Sequence, residues 1–382
     1  MSLLRVAVLC DYLEENWPSM DLVADQLCAH IERNYADEIS VTKIRPKFRR
    51  RFTLDDVSSG WRFNADRLFN RFREYPALAR LLMLDFDVFH IVDHSYSQLV
   101  HELPSERTIV TCHDLDTFQC LLSPEAEPRS LWFRKMMKRS LSGFQKAARI
   151  TCDSGATRDH ILAHDLVPAS RTQVVHNGVD PLFSPAPDAV ADNTAAELLG
   201  KPNDCVELLH VGSTIPRKRI DTLLKAFAIA SKIEGNVRLL RVGDRFTYEQ
   251  DNLIDELGVR EKIVVLPRLD SETLAAVYRR AGLVLMPSER EGFGLPVVEA
   301  MASGTIVLAS DIPVLRELGG DAIEYCPVGD FAAWGKKIIE LVAEYRSGKT
   351  KERRQAGIER ATLFTWENYA KNMVNLYRLV HG

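Results

Sequence analysis

Short aliphatic and β-branched runs alternate with longer amphipathic segments along the whole chain. In the first half the apolar runs are LRVAVLC from Leu4, EISVTKI from Glu38, DVFHIV from Asp87, RTIVTC from Arg107, RITCD from Arg149 and TQVV from Thr172. In the second half they are VELLHV from Val206, VRLLRVG from Val237, KIVVLP from Lys262, LVLMP from Leu283, TIVLA from Thr305 and AIEYC from Ala322. Helix-length stretches lie between them, among them residues 22–33 and 131–147. The runs are nearly continuously apolar, as strands covered on both faces must be. Their regular alternation with helices predicts βαβ units and parallel, doubly wound sheets. Two sets of runs predict two such α/β domains.

Length agrees with that division, since 382 residues exceed one ordinary domain. Residues 181–204, rich in Pro, Ala and Asp and poor in strand signal, read as the connection. The expected parts are residues 1–180, residues 181–362, and a helical end at 363–382. A formal net charge of −4 gives no electrostatic footprint for nucleic acid. The N-terminal apolar run is short, ends at Asp11 and is followed by no small-residue cleavage site, so it does not read as a signal peptide. No apolar stretch reaches 18 residues, the length a membrane span needs. Seven scattered cysteines form no CxxC pair. Cys10, Cys112, Cys152 and Cys326 lie at or near strand-like ends and read as small buried hydrophobes in a reducing, cytoplasmic compartment.

The chemistry concentrates in the second half. In LVLMPSEREGFGLPVVEAMASGTIVLA a strand ends at Pro287, a loop carries Gly292 and Gly294, and Pro296 opens a helix, where its missing N–H costs nothing. A glycine loop leading into a helix N-terminus at the carboxyl end of a parallel strand suits an anion such as a diphosphate. Glu291 in the loop and Glu299 in the helix are carboxylate acceptors for sugar and ribose hydroxyls. A second anion signal, GSTIPRKRID, follows the strand VELLHV. There Gly212 ends the strand and Arg217, Lys218 and Arg219 precede a helix, placing cations where a diphosphate leaving group needs them.

The E-x7-E block in EGFGLPVVE resembles the donor-site signature of retaining GT-B glycosyltransferases, specifically glycosyltransferase family 4. The resemblance extends through GSTIPRKRID, VVHNGVD, CDSGATRDHI, TCHDL and the C-terminal FTWENYAKNMVNLYRL, so it runs over nearly the whole chain. It implies a GT-B fold, with two Rossmann-like domains facing across a cleft and a C-terminal helix crossing back. It implies that Glu299 binds the donor ribose, that Glu291 binds the transferred sugar, and that backbone amides of Gly292, Phe293, Gly294 and Leu295 face sugar or phosphate. Lys218 falls on the family's diphosphate lysine. The family's arginine after the glycine is Ser213 here, and the glycine after the lysine is Arg219. Arg217, one turn position away, supplies the missing charge.

In the first half the resemblance implies that His113, after the strand RTIVTC, contacts the donor sugar. The loop NWPSMD lacks the paired glycines of relatives and is expected to close over the acceptor through Trp17, with His94 and Asp114 as further acceptor-side candidates. The Asp-x-Asp triplets 85–87 and 114–116 read as incidental, so neither a metal nor another cofactor is expected. RPKFRRRF, from Arg45 to Phe52, is a basic-aromatic cluster suited to an anionic membrane surface. The expected activity is retaining hexosyl transfer from a GDP-mannose or UDP-glucose type donor to a saccharide or lipid-linked acceptor. The rivals are a GT-B epimerase, a phosphorylase and a non-catalytic sugar-binding protein.

Overall fold

The computed structural model describes residues 3–53, 59–200 and 204–382. The chain forms two compact units, Met1–Gly178 with Trp366–Gly382, and Val179–Thr365. Residues 181–204 therefore fall inside the second unit, not between the units. They contain the helix Ala189–Leu199, which the Arg279–Asp192 ion pair at 2.6 Å ties to the helix Ser271–Arg280.

The first unit holds β1 (Leu4–Leu9), β2 (Ile39–Ile44), β3 (Val88–Ile91), β4 (Thr108–Cys112), β5 (Arg149–Cys152) and β6 (Thr172–Val174), in the order β2-β1-β3-β4-β5-β6. The second holds β7 (Val206–Gly212), β8 (Val237–Gly243), β9 (Ile263–Leu266), β10 (Leu283–Met286), β11 (Ile306–Ser310) and β12 (Glu324–Cys326), in the order β12-β11-β10-β7-β8-β9. Every pairing is parallel. Each of the twelve apolar runs forms one of these strands.

Both faces of the first sheet are buried, which explains its unbroken hydrophobicity. Along β1, Ala7 and Leu9 enter one core while Val6 and Val8 enter the other. That is the period-two alternation of a pleated strand between two helical layers. The second core is completed by the C-terminal helix Trp366–His381, whose Trp366, Tyr369, Met373, Val374 and Tyr377 form one apolar face. Tyr377 also meets His90 Nδ1 at 2.8 Å, and Thr111 meets its Nε2 at 2.7 Å. Burial, with the charge of His113, pushes His90 down to about 3, so it is a neutral core residue. Cys10, Cys112, Cys152 and Cys326 are buried, and burial raises their thiol pKa values, which suppresses thiolate chemistry. Among the described residues no helix is long and apolar enough to cross a membrane.

In each sheet the chain reverses direction of growth once, between β1 and β3 and between β7 and β10. Loops leaving the carboxyl ends of strands diverge at such a switch point and leave a crevice for ligands.

Candidate active site

In the second unit the loops on the two sides of the switch point are the two that the sequence marks. After β7 the backbone passes through Gly212 (φ 151°), makes a turn at Pro216–Lys218, places Arg219 in the left-handed region (φ 49°) and enters the helix Ile220–Glu234. After β10 the chain runs to Gly294 (φ 110°) and the helix Leu295–Ala302, with Pro296 in its first turn. A Cβ on Gly294 would lie 2.9 Å from Leu315 Cδ2, so both conformation and space require glycine there. Phe293 is buried against Phe364, ring centroids 5.9 Å apart, which anchors the turn. The Glu289 N–H donates to the Arg217 carbonyl at 2.8 Å and stitches the loops together.

This stitching brings residues 73 positions apart into contact. Lys218 Nζ donates to Glu291 Oε1 at 2.6 Å, and Arg217 Nη1 lies 3.3 Å from Glu291 Oε2. Arg217 Nη1 also donates to the Arg290 carbonyl at 2.9 Å. Burial works to raise the Glu291 carboxyl, but the Lys218 and Arg217 charges outweigh it and hold the group below its ordinary range. Glu299 has a different setting. It accepts from Tyr278 Oη at 2.8 Å, and no cation acts on it strongly. Burial raises it to about 7; the Tyr278 bond opposes this and Asp180 adds to it. One carboxylate is thus held ionised and the other poised to titrate near neutrality. Ser213, half-buried, begins the first loop. Arg219 is committed elsewhere: it donates to both Asp221 oxygens at 3.0 Å and lies 3.6 Å from Glu289. Arg217, Arg219, Gln250, Glu289 and Arg290 line a pocket of about 430 Å³ on this surface.

In the first unit a polar cluster gathers at the carboxyl edge of the sheet. Asp11 follows β1, Asp93 and His94 follow β3, His113 follows β4 and Asp153 follows β5. His113 is buried and uses both ring nitrogens. Nδ1 meets Asp153 Oδ2 at 2.5 Å and Nε2 meets the Val92 carbonyl at 2.7 Å. Two acceptors on one ring require two protons, so His113 is an imidazolium. Burial disfavours that charge, but Asp153 and Asp93 outweigh it and raise His113 to about 9. Asn177 Nδ2 donates to the same Asp153 oxygen at 3.1 Å and fixes the dyad. Nitrogen-15 spectra at pH 7 should show both His113 ring nitrogens protonated; a single protonated nitrogen would refute the assignment. A raised histidine stabilises the fold fully below about pH 6.5. Its share is lost as pH rises through about 9, and Asp153→Asn should remove that slope.

Of the acceptor-side candidates, Trp17 is half exposed, just ahead of the helix Pro18–Asn34. His94 is enclosed, with its ring edge-on to Phe118 and its nitrogens 3.4 Å from Asp93 and 3.8 Å from Asp114. Asp114 caps the Asp116 N–H at 3.0 Å, which gives that triplet a turn-forming role. Asp87 of the other triplet is held by Arg5 at 2.8 Å. Sequence reasoning missed the buried Asp11 and Arg71 and the enclosed side chain of Glu15, which lies 3.3 Å from Arg67 and 3.5 Å from Arg71. Position directly after a strand was the available signal for Asp11, Asp93 and Asp153. Three of the five cations in the basic cluster pair with carboxylates of its own unit. Arg45 pairs with Asp21, Arg49 and Arg51 pair with Glu74, and Arg50 covers Phe48 and Phe63.

Comparison with known proteins covers nearly the whole chain. The family profile "Glycosyl transferases group 1" matches residues 193–378, and "Glycosyltransferase Family 4" matches residues 23–182. A D-inositol 3-phosphate glycosyltransferase of Mycolicibacterium smegmatis is 33% identical over 217 residues, 54% of this chain and 47% of that protein. The chain thus spans about half the length of these curated relatives. The O-antigen chain mannosyltransferase B of Escherichia coli is 28% identical over 298 residues, 74% of this chain and 72% of that protein. Among solved structures, sucrose-phosphate synthase of Thermosynechococcus elongatus superposes with a TM-score of 0.78 at 21% identity, over 98% of both chains. HepE of Anabaena, in complex with UDP and glucose, superposes with a TM-score of 0.74 at 17% identity, over 98% of this chain and 99% of that one. At these identities the superpositions establish a shared GT-B fold.

Proposed function

This chain belongs to the group 1, family 4 glycosyltransferases, and we propose that it transfers a hexose, with retention, from a UDP-glucose or GDP-mannose type donor to a saccharide or lipid-linked acceptor. The observation that carries the reading is the junction of two loops at the β7/β10 switch point, where Lys218 and Arg217 converge on Glu291. A carboxylate and two cations, groups of the kind that bind hydroxyls and a diphosphate, meet there. The UDP and glucose bound to HepE, and the mannosyl transfer in the Escherichia coli relative's name, support the donor class.

The chemistry follows from charge. The bond from the sugar's C1 to the phosphate oxygen breaks, and negative charge grows on the departing diphosphate. Lys218 and Arg217 stabilise that charge more in the transition state than in the ground state, which is what acceleration requires. They supply the compensation that a divalent ion gives elsewhere, so activity should survive EDTA. Glu291 accepts from sugar hydroxyls and Glu299 from the ribose. The acceptor hydroxyl forms its bond to C1 on the face the phosphate leaves, and its proton passes to that phosphate.

The test is incubation with nucleotide sugars and a saccharide acceptor, followed by proton NMR of the product anomer. Retained configuration is expected; an inverted linkage would overturn the mechanism. Donor consumption without acceptor would favour an epimerase.

A further inference from the structure

Beneath the β7 loop lies a charge that the mechanism above does not use. Arg241 of β8 is fully buried, and its register partner on β7, His210, is equally buried. Arg241 Nη1 donates to the Val242 carbonyl at 2.5 Å. Its Nε and Nη2, and both ring nitrogens of His210, have no hydrogen-bond partner among the described residues. Burial drives His210 well below its ordinary range, so the ring is neutral and Arg241 carries the charge. Among the described residues Asp244 is the one opposite charge acting on Arg241, and it is exposed.

The next pair along the register is Gly212 and Gly243. A Cβ on Gly243 would lie 2.2 Å from the Gly212 carbonyl oxygen and 3.1 Å from Arg241 Nη1. A Cβ on Gly212 would lie 3.6 Å from His210 Cε1 and 3.8 Å from Lys218 Cε. The Gly212–Gly243 pair thus lies next to both Arg241 Nη1 and the stem of Lys218 and places no side chain of its own there. A buried cation whose opposite charge lies out in solvent is costly to a core, and a buried apolar residue of similar size would be cheaper. Such a violation of core chemistry is expected where function requires it. Arg217 and Lys218 already share one carboxylate, Glu291, and the Arg241 charge below adds to the positive side of the β7 loop.

We propose that Arg241 is a positioning residue for the donor diphosphate, acting through space from beneath the Gly212–Gly243 layer as the charge that Ser213 does not carry. This rests on the reading that a diphosphate binds over the loop from Gly212 to Lys218. The field of a buried guanidinium is weakly screened, so a dianionic group above it gains affinity without contact.

Calorimetry with inorganic pyrophosphate on the full chain tests this, since that probe does not depend on the nucleotide base. Arg241→Met should bind pyrophosphate about tenfold or more weakly, by the loss of one nearby unscreened charge. Its unliganded melting temperature should equal or exceed that of the wild type, because a buried charge with only an exposed opposite charge is gone. Arg241→Lys should stay within a few-fold of wild-type affinity. A folded Arg241→Met with unchanged affinity would overturn the inference. So would a variant that melts well below wild type or fails to fold, which would mark Arg241 as structural. If Lys218→Met loses pyrophosphate while Arg241→Met keeps it, the diphosphate reading stands and only the role of Arg241 falls. Failure of the wild type to bind pyrophosphate would sink both.

Discussion

Lys218→Met is expected to lower kcat on the order of 100- to 1,000-fold, the scale seen when one preorganised donor to a developing oxyanion is removed. Lys218 is buried and sits 2.6 Å from Glu291, so its ammonium is fixed and poorly hydrated. Both conditions enlarge its effect on charge growing at the leaving group. Methionine keeps most of the stem's volume and removes the ammonium with its hydrogen bond to Glu291. The same change leaves Glu291 with Arg217 as its remaining cation, at 3.3 Å. The Glu291 carboxyl should then titrate at higher pH. In the wild type its depressed value contributes stability that is present above the ordinary carboxylate range and lost as pH falls below it. The variant should therefore lose acid resistance as well as rate. Steady-state kinetics with saturating donor, and thermal melts from pH 3 to 7, measure the two effects. A kcat within threefold of wild type would remove Lys218 from the leaving-group role.

Glu299→Ala should weaken binding of the nucleoside diphosphate on the order of 100-fold, since hydrogen bonds to a charged acceptor contribute roughly 1.5–3 kcal/mol each. The pH dependence is the sharper test. An ionised carboxylate accepts from two ribose hydroxyls, whereas a protonated one loses part of that capacity. With Glu299 raised to about 7, affinity should rise as pH climbs through 7 and fall below it toward the level of the protonated form. Glu299→Gln should bind weakly with that component of the slope removed, which separates Glu299 from the titration of the ligand's own phosphate. The sign for stability is opposite. A carboxyl raised in the fold binds its proton more tightly than in the unfolded chain, so its ionisation above about pH 7 opposes folding. Glu299→Gln without ligand should therefore be no less stable than wild type at pH 8. Identical pH profiles for wild type and Glu299→Gln would refute the ribose role.

The two predictions differ because the surroundings of the two carboxylates differ. Spacing along the chain makes Glu291 and Glu299 a pair, and composition treats them alike. The fold gives one of them two cations and the other a phenol. Their opposite pKa directions follow from that partnering and from nothing local. His113 repeats the lesson. Its place after an apolar strand was legible, but its charge state comes from Asp153, forty residues away.

The twelve strands, their parallel sense and the two glycine-bearing loops were determined by the sequence alone. Burial on both sheet faces writes itself into every residue of a strand, and glycines at positive φ cannot be exchanged for other residues without strain. Charge was decided only by the tertiary structure. The cations between Arg45 and Arg51 look free in the sequence, yet Asp21 and Glu74 take up three of them. Arg219 looks like part of the phosphate loop and is committed to Asp221 and Glu289. Arg241 looks like one polar residue in a strand and is a fully buried cation whose opposite charge, Asp244, is exposed. Hydrophobic pattern is a one-residue property repeated along a strand, whereas the state of a charge depends on which groups the fold brings within a few ångströms.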